Sequence, residues 1–269
     1  MAAEPAGWPW PAPPAEPPGR GLLEDKRVIV TAAAGAGIGS AVARRALIEG
    51  AVVLISDLHE RRLAATCDRL EAETGSRPEA VRCDVTVEQD VQALMDSAVD
   101  SLGGIDVMMN NAGLGGSVRL VDMTDEQWSS VLGVTLDGTM RCTRAALRLM
   151  IDHRTGGAIV NNASVAGWRA QVEQAHYAAA KAGVMALTRC AALEAAEHNI
   201  RVNCVAPSLA WHPFLARTAG EALLADLAGR EAFRRPAEPW EVANVMVFLA
   251  SDLAGYMTGE VVSVSSQHP

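Results

Sequence analysis

Tyrosine is scarce in this chain, with two in 269 residues, and one of them heads Tyr177-Ala178-Ala179-Ala180-Lys181. On a helix, positions i and i+4 share a face, so this phenol and ammonium can serve one site. Ser164 stands thirteen residues before the tyrosine, just after the run Ile159-Val160-Asn161-Asn162. A phenol, a cation and a hydroxyl are the parts of a proton-transfer site. A free phenol has a pKa of about 10 and is a poor base at neutral pH. Lowering it by about three units takes roughly 4 kcal/mol of preferential phenolate stabilisation. One cation about 4 Å away supplies that order at an effective dielectric of about 20. By itself, a Tyr/Lys pair at helical spacing is a common accident. Its meaning depends on the elements around it.

Those elements are written in the hydrophobic pattern. Short β-branched runs occur at residues 28–30, 52–55, 80–81, 107–109, 159–160, 202–205 and 261–264. Most are continuous rather than alternating, as expected of parallel strands covered on both faces. Between them lie Ala/Leu/Glu/Arg-rich stretches of helical length at 38–49, 61–73, 87–102 and 177–196. Thr124-Asp125-Glu126-Gln127 has the spacing of a capping box ahead of a further helix. The alternation predicts an α/β fold, a doubly wound (Rossmann-type) parallel sheet of about seven strands with helices on both faces. No composition break or repeat divides residues 21–269, which read as one domain. Strand ends line the ligand crevice of such a sheet, and Ser164 follows one of them.

The first strand runs into Thr31-Ala32-Ala33-Ala34-Gly35-Ala36-Gly37-Ile38-Gly39 and then a helix. Small residues there let the backbone approach a pyrophosphate, whose charge is stabilised by free N–H groups and the helix N-terminus. Tight strand-to-helix turns also need glycine on steric grounds alone. The second strand ends at Asp57. An acid at that place accepts hydrogen bonds from both ribose hydroxyls of an adenosine and repels a 2′-phosphate. Loop and acid together predict dinucleotide binding.

Composition bounds the rest. The chain is 49% hydrophobic and 20% charged, rich enough in apolar residues to bury a large core. Its net charge of −9 argues against a general nucleic-acid binder, and no apolar run is long enough to span a bilayer. Cys67, Cys83, Cys142, Cys190 and Cys204 are scattered and odd in number, which fits reduced thiols in a cytoplasmic protein without a disulfide framework or metal site. Residues 1–20 carry Pro5, Pro9, Pro11, Pro13, Pro14, Pro17 and Pro18, with no charged leader followed by an apolar stretch. This reads as a flexible proline-rich tail, in which Trp8 and Trp10 are the residues able to dock on a partner.

From residue 22 onward the chain resembles the short-chain dehydrogenase/reductase family. The family pattern T-G-x-x-x-G-I-G is matched by Thr31 and Gly37-Ile38-Gly39, with Ala32 replacing the first glycine and one extra residue in the loop. Asp57 matches the NAD-selecting acid, Cys83-Asp84-Val85 the adenine-holding segment, and Asn110-Asn111-Ala112-Gly113 the N-N-A-G turn. The resemblance implies NAD as cofactor, held by Thr31, Ala33, Gly35, Gly37, Ile38, Gly39, Asp57 and Leu58. Further contacts are implied at Asp84, Val85, Asn111, Ala112, Gly113, Tyr177, Lys181, Pro207 and Ser208. It assigns Tyr177 as acid/base, Lys181 as its electrostatic partner and ribose anchor, and Ser164 as donor to the substrate oxygen. A positively charged nicotinamide would be the second cation near the phenol, and the cofactor carries the hydride. Family precedent also implies a dimer or tetramer.

The departures from the family are as specific as the matches. Thr135 stands where the family has the asparagine that holds a relay water, and is expected to take that role with a shorter side chain. The usual P-G turn is Pro207-Ser208, and the terminal V-D-G-G is Val264-Ser265-Ser266-Gln267. The family places a substrate lid at about 207–239. Here that stretch carries Trp211, His212, Phe214, Leu215, Leu223, Leu224 and Phe233 with Arg217, Arg230, Arg234 and Arg235. These residues suit either a ring system and CoA phosphates or a solvated amphipathic pair. The segments around Trp168-Arg169, His176-Tyr177 and Ser265-Ser266 narrow the resemblance to the actinobacterial subgroup acting on hydroxy/oxo-indane carboxyl-CoA intermediates of sterol-ring breakdown. A small-molecule substrate, a CoA thioester among the options, is therefore expected. The alternatives are a 3-hydroxyacyl/3-oxoacyl thioester reductase and a weakly catalytic nucleotide-binding subunit, the latter supported by Thr135.

Overall fold

A computed structural model of the chain describes residues 10–211 and 221–266. Trp8, the lid positions His212, Phe214, Leu215 and Arg217, and the terminal Gln267 lie outside the described residues. The strands are β1 (Arg27–Val30), β2 (Val52–Asp57), β3 (Glu79–Arg82), β4 (Val107–Asn110), β5 (Gly157–Asn162), β6 (Ile200–Pro207) and β7 (Val261–Val264). The described helices are α1 (Ile38–Ile48), α2 (Glu60–Thr74), α3 (Glu88–Leu102), α4 (Asp125–Leu132), α5 (Gly138–His153), α6 (Ala175–Ala195), α7 (Glu221–Arg230) and α8 (Pro239–Ala250).

All seven strands pair in parallel, in the order β3-β2-β1-β4-β5-β6-β7. Side chains alternate across a strand, and here both faces are apolar. Val28 and Val30 pack with α1, α2 and α8, whereas Ile29 packs with α3, α5 and α6 on the other face. Fully buried residues such as Ile29, Met108 and Ile159 each contribute about 1.5–3 kcal/mol by leaving water. The chain runs outward from β1 to β3, then returns to β4 and runs outward the other way. The carboxyl ends of β1 and β4 are therefore the switch point, where an open α/β sheet binds its ligands.

Local signals set the helix ends. Thr124 and Gln127 form the expected capping box at the start of α4. Pro239 opens α8, with Glu238 and Glu241 capping reciprocally. Between α4 and α5 the helix passes through a π-helical stretch, Gly133–Asp137, which contains Thr135. Such π-segments recur near functional sites. No helix among the described residues is long and apolar enough to cross a membrane.

The end of the proline-rich stretch packs against α1. Glu16 pairs with Arg44 at 2.7 Å, and Arg45 donates to the carbonyls of Pro17 and Pro18 at 2.5 and 3.1 Å. Buried Glu49 accepts from the backbone N–H of Arg20 and Leu22. Prolines offer carbonyl acceptors without competing N–H donors, so two arginines of α1 can hold this segment down.

Candidate active site

β4 and β5 both end in paired asparagines, and their side chains tie the crevice floor together. On one face, the Asn110 amide donates to Thr143 Oγ1 and Asn161 Oδ1, and Asn161 donates to Thr188 Oγ1. Beside the crevice, Asn162 Nδ2 donates to Asn111 Oδ1 at 2.9 Å, and Asn111 Nδ2 donates to the carbonyls of Thr31 and Ala32. Thr31 Oγ1 accepts from the N–H groups of Asn111 and Ala112, which joins β1 to β4. Buried amides need partners, and the spacing of parallel strands supplies them here.

The Ser, Tyr and Lys converge on this floor. Lys181 Nζ donates to the Asn162 carbonyl at 2.5 Å and lies 5.6 Å from the centroid of the Tyr177 ring. Ser164, after β5, sits close enough to bond the phenol, and its own Oγ accepts from Ala166 N at 3.2 Å. Burial pushes the Tyr177 phenol above its ordinary value, against the pull of the Ser164 hydroxyl. Burial likewise pulls Lys181 down to about 8. The protein alone therefore keeps the phenol protonated.

A glycine-rich loop closes over the tyrosine. A Cβ on Gly115 would lie 3.8 Å from the Tyr177 ring, and one on Gly113 would lie 3.4 Å from Lys181 Nζ. The loop is strapped to the residues before α6: Gln174 Nε2 donates to the Gly116 carbonyl at 2.7 Å, and Val118 N donates to the Glu173 carbonyl. Thr135 Oγ1 holds its other end through Leu114.

The cofactor loop fits a dinucleotide. Helix α1 follows Gly37, its N-cap, with no side-chain cap and no acid in its first turn, and Gly35 and Gly37 face open space. An uncapped helix N-terminus behind a bare loop suits a pyrophosphate. Asp57 accepts from Ala34 N and His59 N, one bond per oxygen, which leaves lone pairs for a ribose diol. Burial pushes its carboxyl up, against the Ala34 N–H and the Arg62 charge. Leu58 is exposed beside it. Ala33 is fully buried and gives its N–H to Ser56, so it supports the loop from beneath and does not line the crevice. Asp84 turns its carboxylate onto Thr86 and gives its backbone N–H to Asp90, and Val85 is buried against Gly138. The Pro207 carbonyl accepts from Ser164 Oγ at 3.5 Å, and Ser208 N bonds the Val264 carbonyl.

The described arginines of residues 230–235 are committed to neighbouring groups. Arg235 is buried and bidentate with Glu241 at 2.6 and 2.7 Å. Arg230 pairs with Asp226, and Arg234 bonds the Gly229 carbonyl. Arg169 differs: its Nε and Nη2 are buried without a hydrogen-bond partner among the described residues, beside exposed Trp168. Asn162, Leu114, Thr66 and Arg69 were not legible as site residues. The consecutive asparagines at the end of β5 were the one available signal, since buried strand ends are otherwise apolar.

Sheet, loop, acid and Ser/Tyr/Lys cluster together define an oxidoreductase of nicotinamide dinucleotides, and the chain belongs to the short-chain dehydrogenase/reductase family. A family profile described as enoyl-(acyl carrier protein) reductase matches residues 32–266. The chain is 60% identical over 256 residues to the (5R,7aS)-5-hydroxy-7a-methyl-1-oxo-2,3,5,6,7,7a-hexahydro-1H-indene-carboxyl-CoA reductase of Mycobacterium tuberculosis, covering 95% of this chain and 98% of that protein. It is 37% identical over 242 residues to the 3-oxoacyl-(acyl-carrier-protein) reductase FabG of Thermotoga maritima, covering 90% and 97%. The crystal structure of a short chain dehydrogenase from Mycobacterium smegmatis superposes with a TM-score of 0.85 at 58% identity, covering 95% of this chain and 98% of that one.

Proposed function

We propose that this oxidoreductase uses NAD(H) to reduce a ketone on a ring-bearing acyl-CoA of sterol catabolism, as a cytoplasmic homodimer or homotetramer. The observation that carries the reaction is the convergence of Ser164, Tyr177 and Lys181 at the end of β5. Ser164 donates a hydrogen bond to the ketone oxygen and orients it. Tyr177, kept protonated by burial, gives its proton to the alkoxide as it forms, and Lys181 stabilises the phenolate left behind. Reduced nicotinamide, when bound, supplies the hydride and is itself neutral, so it adds no cation that would deprotonate the phenol beforehand. Thr135 holds the glycine loop over this group, its hydroxyl bonded to both backbone groups of Leu114.

The choice of NAD rests on Asp57, whose half-buried carboxylate would meet a 2′-phosphate. Arg61 and Arg62 are the rival feature. The substrate class rests on the similarity to an indane carboxyl-CoA reductase, and both named relatives act on acyl thioesters. Self-association rests on family precedent and on exposed apolar side chains such as Leu193 of α6, which is 82% exposed. The test is kcat/KM for NADH and NADPH across indane carboxyl-CoA ketones, linear 3-oxoacyl-CoA thioesters and CoA-free ketones. A clear NADPH preference overturns the Asp57 reading. Faster turnover of linear thioesters moves the assignment to a 3-oxoacyl thioester reductase.

A further inference from the structure

The site leaves one continuous set of charges unused, and it runs from the proline-rich segment to the dinucleotide loop. Glu16 pairs with Arg44 Nη1 at 2.7 Å, and Arg44 Nε pairs with one oxygen of Glu73 at 2.9 Å. The other Glu73 oxygen pairs with Arg69 Nη1 at 3.1 Å. Arg69 Nη2 then donates to the Gly35 carbonyl at 2.9 Å and to Ser40 Oγ at 2.5 Å. One turn earlier on α2, Thr66 Oγ1 accepts from Gly35 N at 3.0 Å. Both backbone groups of Gly35 are thus held from α2, at the centre of the loop.

We propose that Thr66 and Arg69 are positioning residues for the cofactor loop. In this proposal Glu16, acting through Arg44 and Glu73, keeps Arg69 in place, so that the N-terminal segment tunes cofactor affinity. The proposal rests on the nicotinamide dinucleotide reading of the loop. The loop needs such support because its own side chains cannot provide it. Gly35 has a φ of +102° and nothing near its Cβ position, and Gly37 faces open space as well. A bare loop loses backbone freedom on binding a pyrophosphate, and fixing it beforehand removes that cost from the affinity. Single exposed ion pairs are weak, but here Glu73 holds Arg44 and Arg69, and Glu16 meets Arg44 and Arg45, so ordering one group orders the next. The outer end is itself anchored, through Arg45 on the Pro17 and Pro18 carbonyls.

The test is the dissociation constant of NADH, and of NADPH in parallel, measured by fluorescence on the full chain without substrate. Arg69→Gln is expected to raise it about tenfold and Glu16→Gln about two- to threefold. The double variant is expected to match Arg69→Gln alone, since Glu16 acts only through Arg69. Glu16→Gln should leave kcat at saturating cofactor and the substrate KM within twofold, a split that general destabilisation would not produce. Its effect should vanish in about 1 M salt. If Arg69→Gln does not fold, Glu73→Gln carries the same cycle. Equal factors for Glu16→Gln in both backgrounds, or unchanged affinity in Arg69→Gln, overturn the proposal. A wild-type chain that binds neither dinucleotide instead overturns the cofactor reading, and the proposal with it.

Discussion

Thr135 bonds both backbone groups of Leu114: its Oγ1 accepts from Leu114 N at 2.9 Å and donates to the Leu114 carbonyl at 3.1 Å. A fully buried hydroxyl in a π-helical segment thereby fixes the loop that covers Tyr177. Removing it leaves two backbone groups short of a partner, at about 1–3 kcal/mol each. Thr135→Val is expected to lose about 2–4 kcal/mol in urea unfolding and to lower kcat at least tenfold, whereas Thr135→Ser stays near wild type. A stable, fully active Thr135→Val would show that the loop does not need this anchor.

Tyr177→Phe keeps the ring and deletes the only ionisable oxygen in the cluster besides Ser164. Turnover should fall by at least about 100-fold, the usual minimum for losing a general acid, with NADH affinity within a few-fold. Steady-state rates and cofactor titration check both halves. Retention of more than about a tenth of the rate would remove Tyr177 from the proton-transfer role.

Lys181 makes stability depend on pH in a defined window. Its folded pKa of about 8 lies below the ordinary lysine value of 10.5, so between those values the unfolded chain binds more protons. The burial cost, of the order of 3 kcal/mol, is complete below pH 8 and is relieved as pH rises toward 10.5. Relative to Lys181→Met, the wild type should therefore gain stability between pH 8 and 10. Urea midpoints of the two proteins at pH 7 and 9.5 measure this, and a constant difference would count against a depressed lysine.

Ala32 adopts a φ of +49° where the family pattern has glycine. A left-handed alanine costs about 1–2 kcal/mol, partly offset by the greater unfolded-state freedom of glycine. The bonds from Asn111 to the carbonyls of Thr31 and Ala32 hold it there. Ala32→Gly is expected to stabilise the protein by about 1 kcal/mol in equilibrium unfolding. A loss of stability would mean that the alanine is not strained.

The strands, most helices and the order of the fold were determined by patterns of a few residues, because burial on two faces demands continuous apolar runs and helices demand a 3.6-residue repeat. Tyr177 and Lys181 were legible for the same reason: their relation is local, one helical turn. Asp57 and the glycine loop were legible because strand ends position them. What only the tertiary structure decided were relations across long stretches of chain. That Arg235 serves Glu241 rather than a phosphate, that Asn162 receives Lys181, and that Thr135 holds Leu114 all depend on which elements lie side by side. The charge beside Tyr177 was visible in the sequence and its burial was not. Desolvation belongs to the packed molecule, and in this site it outweighs the neighbouring hydroxyl. The proline-rich segment shows the same division: its composition forbids helix and strand, but two arginines of α1 decide where its end lies.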